Sequence, residues 1–123
     1  MSAPSSATLD RVWRRAWSCC ERCGIPVLRN RGGYSIHHRR RRRPEFDGVH
    51  EAANLLLLCG SGTTGCHAWV HSHPLDSRTE GFIVSTYAEP SNWGVLHAAH
   101  GWVLLDNEGE VEPWWPEVTT LGR

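Results

Sequence analysis

Residues 54–71 read Asn54-Leu-Leu-Leu-Leu-Cys59-Gly-Ser-Gly-Thr-Thr-Gly-Cys66-His67-Ala-Trp-Val-His71. Four consecutive leucines between an asparagine and a cysteine predict a short buried strand, or the first part of a strand-to-helix connection. A helix is expected from Cys66 towards Ser72, which puts His67 and His71, four residues apart, on one face. Upstream, Cys20-Glu-Arg-Cys23 has the spacing of a zinc-knuckle turn. Val27-Leu28 and Tyr34-Ser-Ile-His37-His38 read as two strands separated by a Gly32-Gly33 turn. A thiolate quartet places four sulfurs about 2.3 Å from one ion, and two short turns deliver them. Cys20, Cys23, Cys59 and Cys66 are therefore expected to hold one structural Zn2+. The second pair is six residues apart rather than two, and Gly60, Gly62 and Gly65 would let that wider loop fold back. Two alternatives stay open: Cys59 and Cys66 as small buried apolar residues, and Cys19 standing in for Cys20.

The histidines suggest a second site. Neighbouring residues on a strand point to opposite faces, so His37 and His38 cannot both ligate one ion from a regular strand. One can bind the ion while the other reaches a water as general base. His37, His67 and His71 would form a three-imidazole site with positions open to a phosphate oxygen and to solvent. Asn54 is expected to steady the His38 backbone across the intervening loop. The competing reading makes His37, His67 and His71 structural ligands of the single zinc. His50, His97 and His100 read as ordinary core or surface histidines, and His73, before Pro74, as a helix end.

Cys-x2-Cys, His-His, Asn and Cys-His-x3-His in this order resemble the HNH (ββα-metal) endonuclease family, in particular its zinc-knuckle type from phages and bacteria. The likeness covers about residues 18–73: Asn54 stands five residues before Cys59, and His67 and His71 follow Cys66 as in the family pattern. It implies that His38 is the general base, Asn54 the orienting residue, and His37, His67 and His71 the ligands of one catalytic divalent cation (Mg2+, Mn2+, Ni2+ or Zn2+). Many members carry aspartate at the position of His37. The resemblance further implies hydrolysis of DNA phosphodiesters to 5′-phosphate and 3′-hydroxyl ends.

Composition agrees with a nucleic-acid partner. The 123 residues are formally neutral, but residues 1–43 carry 11 of the 13 basic residues against only Asp10 and Glu21, a net +9. Residues 44–123 hold two basic residues against 11 acids, a net −9. Every base is arginine, the better fork for phosphate, although a GC-rich coding sequence would also favour it over lysine. Arg39, Arg40, Arg41, Arg42 and Arg43 follow the proposed base directly and, with Arg22 in the knuckle, are the expected DNA contacts. No segment offers a base-reading helix, so weak sequence preference is expected. The acidic part suggests a second partner, such as a protein of a phage packaging complex. The first 18 residues lack a continuous apolar stretch and no segment is apolar enough to span a membrane. A cytoplasmic setting is expected, the host bacterial cytosol if the gene is a phage's.

The expected fold class is therefore α+β: a small zinc-stapled ββα-metal core at 18–74, an N-terminal arm and helix at 1–17, and an acidic, Trp-rich accessory unit at 75–123. In the arm, Thr8 would cap a helix to Trp17, burying Leu9, Val12, Trp13 and Ala16 and leaving Arg11, Arg14 and Arg15 largely elsewhere. In the accessory unit, Phe82–Tyr87 alternates like a strand, Asn107-Glu108 would turn a β-hairpin, and Trp93, Trp102, Trp114 and Trp115 would form a core or, if exposed, mark an interface. The functional expectation is a metal-dependent DNA endonuclease that nicks one strand or cuts both. Its alternative is an inactive zinc-stabilised DNA-binding or interaction module of a packaging or restriction complex.

Overall fold

The computed structural model describes residues 3–116; residues 1–2 of the arm and 117–123 of the accessory unit lie outside the described residues. The first helix, α1, runs Ser6–Ala16. Its cap is Ser5 rather than Thr8: the Ser5 hydroxyl accepts the Thr8 amide at 3.1 Å. A capping side chain must come from the extended residue just outside the helix, and Ser5 is that residue. Val12, Trp13 and Ala16 are buried as expected. Arg15 is buried as well, against expectation, because its guanidinium has four partners inside. It donates to both Glu21 carboxylate oxygens at 2.8 Å and to the carbonyls of Ala52 and Leu55 at 2.9 and 2.6 Å.

Strand β1, Tyr34–His38, pairs antiparallel with β2, Leu55–Cys59, in a register that sets Tyr34 against Cys59 and His38 against Leu55. Strand β2 packs against both α1 and α2 (Gly65–Ser72). A strand covered on both faces needs no alternation, which accounts for the leucine run: Leu55, Leu56, Leu57 and Leu58 are all fully buried. Val27-Leu28 forms no strand. Leu28 is exposed and makes only an isolated bridge to Gly32, since β1 already has its apolar partner in β2.

Helix α3, Pro74–Glu80, follows at once. His73 closes α2 as expected, its amide bonding the Trp69 carbonyl, and Pro74 opens α3, where no amide donor is needed. The stretch after Gly81 is not a strand. Phe82 and Val84 are buried, but the backbone is committed locally: the Phe82 and Ile83 amides bond Ser77 and the Val84 amide bonds Arg39.

Strands β3 (Val95–His97), β4 (Gly101–Leu105) and β5 (Val111–Pro113) form an antiparallel sheet in that order. The expected hairpin joins β4 to β5, with the Asp106 side chain accepting the Glu108 and Glu110 amides at the turn. The three-residue β3 was not foreseen. The four-tryptophan core does not form: Trp102 and Trp114 pack together at 5.4 Å, while Trp93 and Trp115 are exposed. The fold is thus α+β, with three α-helices and two small antiparallel sheets among the described residues. None of those helices is long and apolar enough to cross a membrane.

Val95, Val103 and Leu105 join Val12 and the β2 leucines in one hydrophobic cluster. At its polar centre, Glu21 receives Arg15, the Leu57 amide at 2.8 Å and His97 Nε2 at 2.6 Å. Burial alone would push the Glu21 carboxyl up, but the Arg15 guanidinium and the His97 hydrogen bond more than offset it and hold the group down at about 2. Removing one partner of a buried ion pair strands the other charge. Glu21→Ala is accordingly expected to cost about 3–5 kcal/mol in chemical denaturation; a loss below about 1 kcal/mol would show that the network is dispensable.

Candidate functional site

The four cysteines expected to act together do come together, their sulfurs lying within 4.8 Å of one another. Cys23 Sγ and Cys59 Sγ are 3.8 Å apart. Two thiolates bound tetrahedrally at 2.3 Å would be separated by about 3.8 Å, so the group fits an ion such as zinc. Backbone amides point at the sulfurs: those of Arg22 and Cys23 reach Cys20 Sγ at 3.4 Å, and that of Cys66 reaches Cys59 Sγ at 3.4 Å. Burial would raise the Cys20 thiol, but these donors bring it below its ordinary value, which favours the ligating thiolate; burial pushes Cys23 and Cys66 up. Cys19 stands outside the cluster and donates to the Trp17 carbonyl.

The wide second loop closes because of two glycines. A Cβ on Gly60, at φ +91°, would overlap the Thr64 carbonyl, and one on Gly65, at φ +66°, would sit 2.7 Å from Gly60 Cα. Gly62 has open space around it and is not needed for the closure.

His37, His67 and His71 also converge, one ring nitrogen from each within 4.8 Å of the others. His67 Nε2 and His71 Nε2 are 3.1 Å apart, within the roughly 2.9–3.4 Å spanned by two imidazoles on one ion at 2.0–2.1 Å. His37 Nε2 is 2.7 Å from the Phe82 carbonyl, and only a ring N–H can satisfy that oxygen. The tautomer is thereby set, leaving the Nδ1 lone pair for a ligand role. Burial, together with its two histidine neighbours, holds His37 down at about 3, and burial and His71 lower His67. Both rings are neutral at cellular pH, the form that binds metal.

His38 lies beside this cluster, pushed down to about 4 by burial and by nearby His50 and Arg42. Its Nε2 is 3.0 Å from His50 Nδ1. His50 thus belongs to the site, although nothing in its sequence context marks it: it follows an irregular loop at no ligand-like spacing. Asn54 does not grip His38 itself. Its Oδ1 accepts the Arg40 amide at 2.7 Å, and its Nδ2 donates to the Val49 and Arg40 carbonyls at 2.9 and 3.3 Å. The strand has ended by residue 38, and the side chain meets the loop two residues later.

The arginines divide. Arg41, Arg42 and Arg43 are exposed and line a cleft of about 1070 Å3 together with His37, His38, His50, His67 and His71. Arg39, expected at DNA, is 1% exposed, its guanidinium bound to the carbonyls of Gly81, Ala53, Pro90 and Trp93. Burial holds it down at about 9. A group so enclosed reaches no phosphate. Arg40 is half-buried, stacked 3.6 Å over Phe46 and bonded to the Ala88 carbonyl. Arg22 faces the thiols instead of the cleft, with Nη1 3.3 Å from Cys66 Sγ and its guanidinium 3.5 Å over Trp69.

Comparison with known protein families, with curated proteins and with solved structures returned no match.

Two outcomes are expected. In zinc-loaded native protein one of the five thiols, Cys19, should react promptly with a thiol reagent, rising to five after chelation with loss of the folded circular-dichroism signal. Five reactive thiols in the folded protein would exclude the quartet. Arg39→Ala should lower folding stability by about 3 kcal/mol or more by stranding buried carbonyls, whereas Arg41→Ala should stay within about 0.5 kcal/mol of wild type. Equal effects would contradict the division of the arginine run.

Proposed function

We propose that the chain is a metal-dependent DNA endonuclease of the HNH, ββα-metal type. The observation that carries this reading is the convergence of His37, His67 and His71 in a cleft that also holds His38 and Arg41, Arg42 and Arg43. The order of elements supports it: an antiparallel pair, β1 and β2, followed by α2, with the thiol quartet tying the turn before β1 to the junction between β2 and α2.

His37, His67 and His71 would hold the catalytic divalent ion, which when bound supplies positive charge to the phosphate and to the departing 3′ oxygen. Arg41, Arg42 and Arg43 draw the phosphodiester backbone into the cleft. Guanidiniums on phosphate position a duplex without reading its bases, which agrees with weak sequence preference. His38 is neutral and takes a proton from the attacking water at its free ring nitrogen. The water oxygen bonds to phosphorus, the bond to the 3′ oxygen breaks, that oxygen takes a proton from solvent, and the products are a 5′-phosphate and a 3′-hydroxyl. Asn54 ties the loop after His38 to the segment before His50, so that the base keeps its place.

Supercoiled plasmid incubated with the protein and Mg2+, Mn2+, Ni2+ or Zn2+ should become nicked or linear. His38→Ala should cut about 10^2–10^4-fold more slowly with the quartet metal retained. Equal cleavage by the two would refute His38 as base. DNA binding without cleavage under any ion would favour the inactive DNA-binding module.

A further inference from the structure

We infer that His50 is a positioning residue for His38, setting which ring nitrogen of His38 is free to accept a proton; this rests on the nuclease reading above. His38 Nε2 and His50 Nδ1 are 3.0 Å apart, their rings at 71° with centroids 5.1 Å apart. Both residues line the cleft, and neither belongs to the three-imidazole cluster.

Two imidazole nitrogens at that separation share one hydrogen, so the pair has two arrangements that differ in which ring donates. In one, His38 donates Nε2–H to His50 Nδ1, and His38 Nδ1 keeps a lone pair for the water. In the other, His50 donates and His38 carries its own proton on Nδ1, where it has no basic nitrogen left. Only the first leaves His38 a basic nitrogen, Nδ1, for the water. His50 then acts as the third group that orients a base.

The surrounding backbone maintains the pairing. Asn54 Nδ2 holds the carbonyl of Val49, the residue before His50, while Asn54 Oδ1 holds the amide of Arg40, two residues after His38. One side chain therefore sets the distance between the two segments that carry the rings.

The experiment uses the full zinc-loaded chain, comparing His50→Ala, His50→Asn, His38→Ala and the His38→Ala/His50→Ala double variant on plasmid DNA. His50→Ala should lose about 10–100-fold in turnover at saturating DNA with unchanged DNA affinity. His50→Asn, whose carboxamide oxygen can accept the same N–H, should recover most of that loss. The double variant should be no slower than His38→Ala alone. Nitrogen-15 imidazole spectra should show the Nε2–H tautomer of His38 in wild type and a tautomer mixture in His50→Ala. An active wild type with His50→Ala unchanged, weakened only in affinity, or additive with His38→Ala would overturn the positioning role and leave the nuclease reading intact. A wild type inert with every ion would overturn the nuclease reading, and the role of His50 with it.

Discussion

A carboxylate withdrawn from water holds the parts of this molecule together. Glu21 sits inside the cysteine turn, and its two oxygens are shared by Arg15 of α1, the Leu57 amide of β2 and His97 of β3. Its backbone is equally engaged, its amide to the Leu57 carbonyl and its carbonyl to the Ala98 amide. Three elements and the knuckle therefore meet at one residue. A buried negative charge persists only where it is so fully compensated, and here the compensation doubles as the junction between the N-terminal half and the C-terminal sheet.

Two buried guanidiniums extend the same logic. Much of the chain between the strands is irregular, and irregular backbone leaves carbonyls without partners. Arg15 gathers those of Ala52 and Leu55; Arg39 gathers those of Ala53, Gly81, Pro90 and Trp93. Five donors on a rigid fork suit this task better than an ammonium would. Arg39 lies directly between His38 and the Asn54-bonded Arg40, so the residues of the cleft hang from a buried anchor. Arg41, Arg42 and Arg43 are the exposed part of the run and line the cleft.

The elements legible in the sequence were those whose signal is local. The cysteine spacing, the i, i+4 histidines and the leucine run are patterns that short-range geometry reads directly, and strands β1 and β2, α2 and both residue clusters lie where those patterns put them, although β1 pairs with the distant β2 and not with Val27-Leu28. What escaped depends on distant partners. Arg15 and Arg39 look like solvated charges until Glu21 and the carbonyls of residues 53–93 are brought to them. His50 carries no spacing signal because its partner, His38, is reached across a loop. Phe82–Tyr87 alternates correctly for burial at Phe82 and Val84, but its backbone donors and acceptors are taken by Ser77, Arg39 and His37. The short β3 carries too few residues for periodicity to register.

Cys66 and His67 are consecutive residues at the start of α2, one belonging to the thiol quartet and the other to the imidazole cluster. A single peptide bond thus separates the two sets of ligands, and Arg22 and Trp69 brace the same helix turn. On the reading proposed above, whatever order an ion imposed on Cys66 would be order His67 need not supply if the imidazole cluster also took one. Thermodynamic linkage makes that benefit mutual and equal in size. Metal stoichiometry alone could then merge the two fillings, and separating the affinities would require a signal that sulfur coordination alone produces.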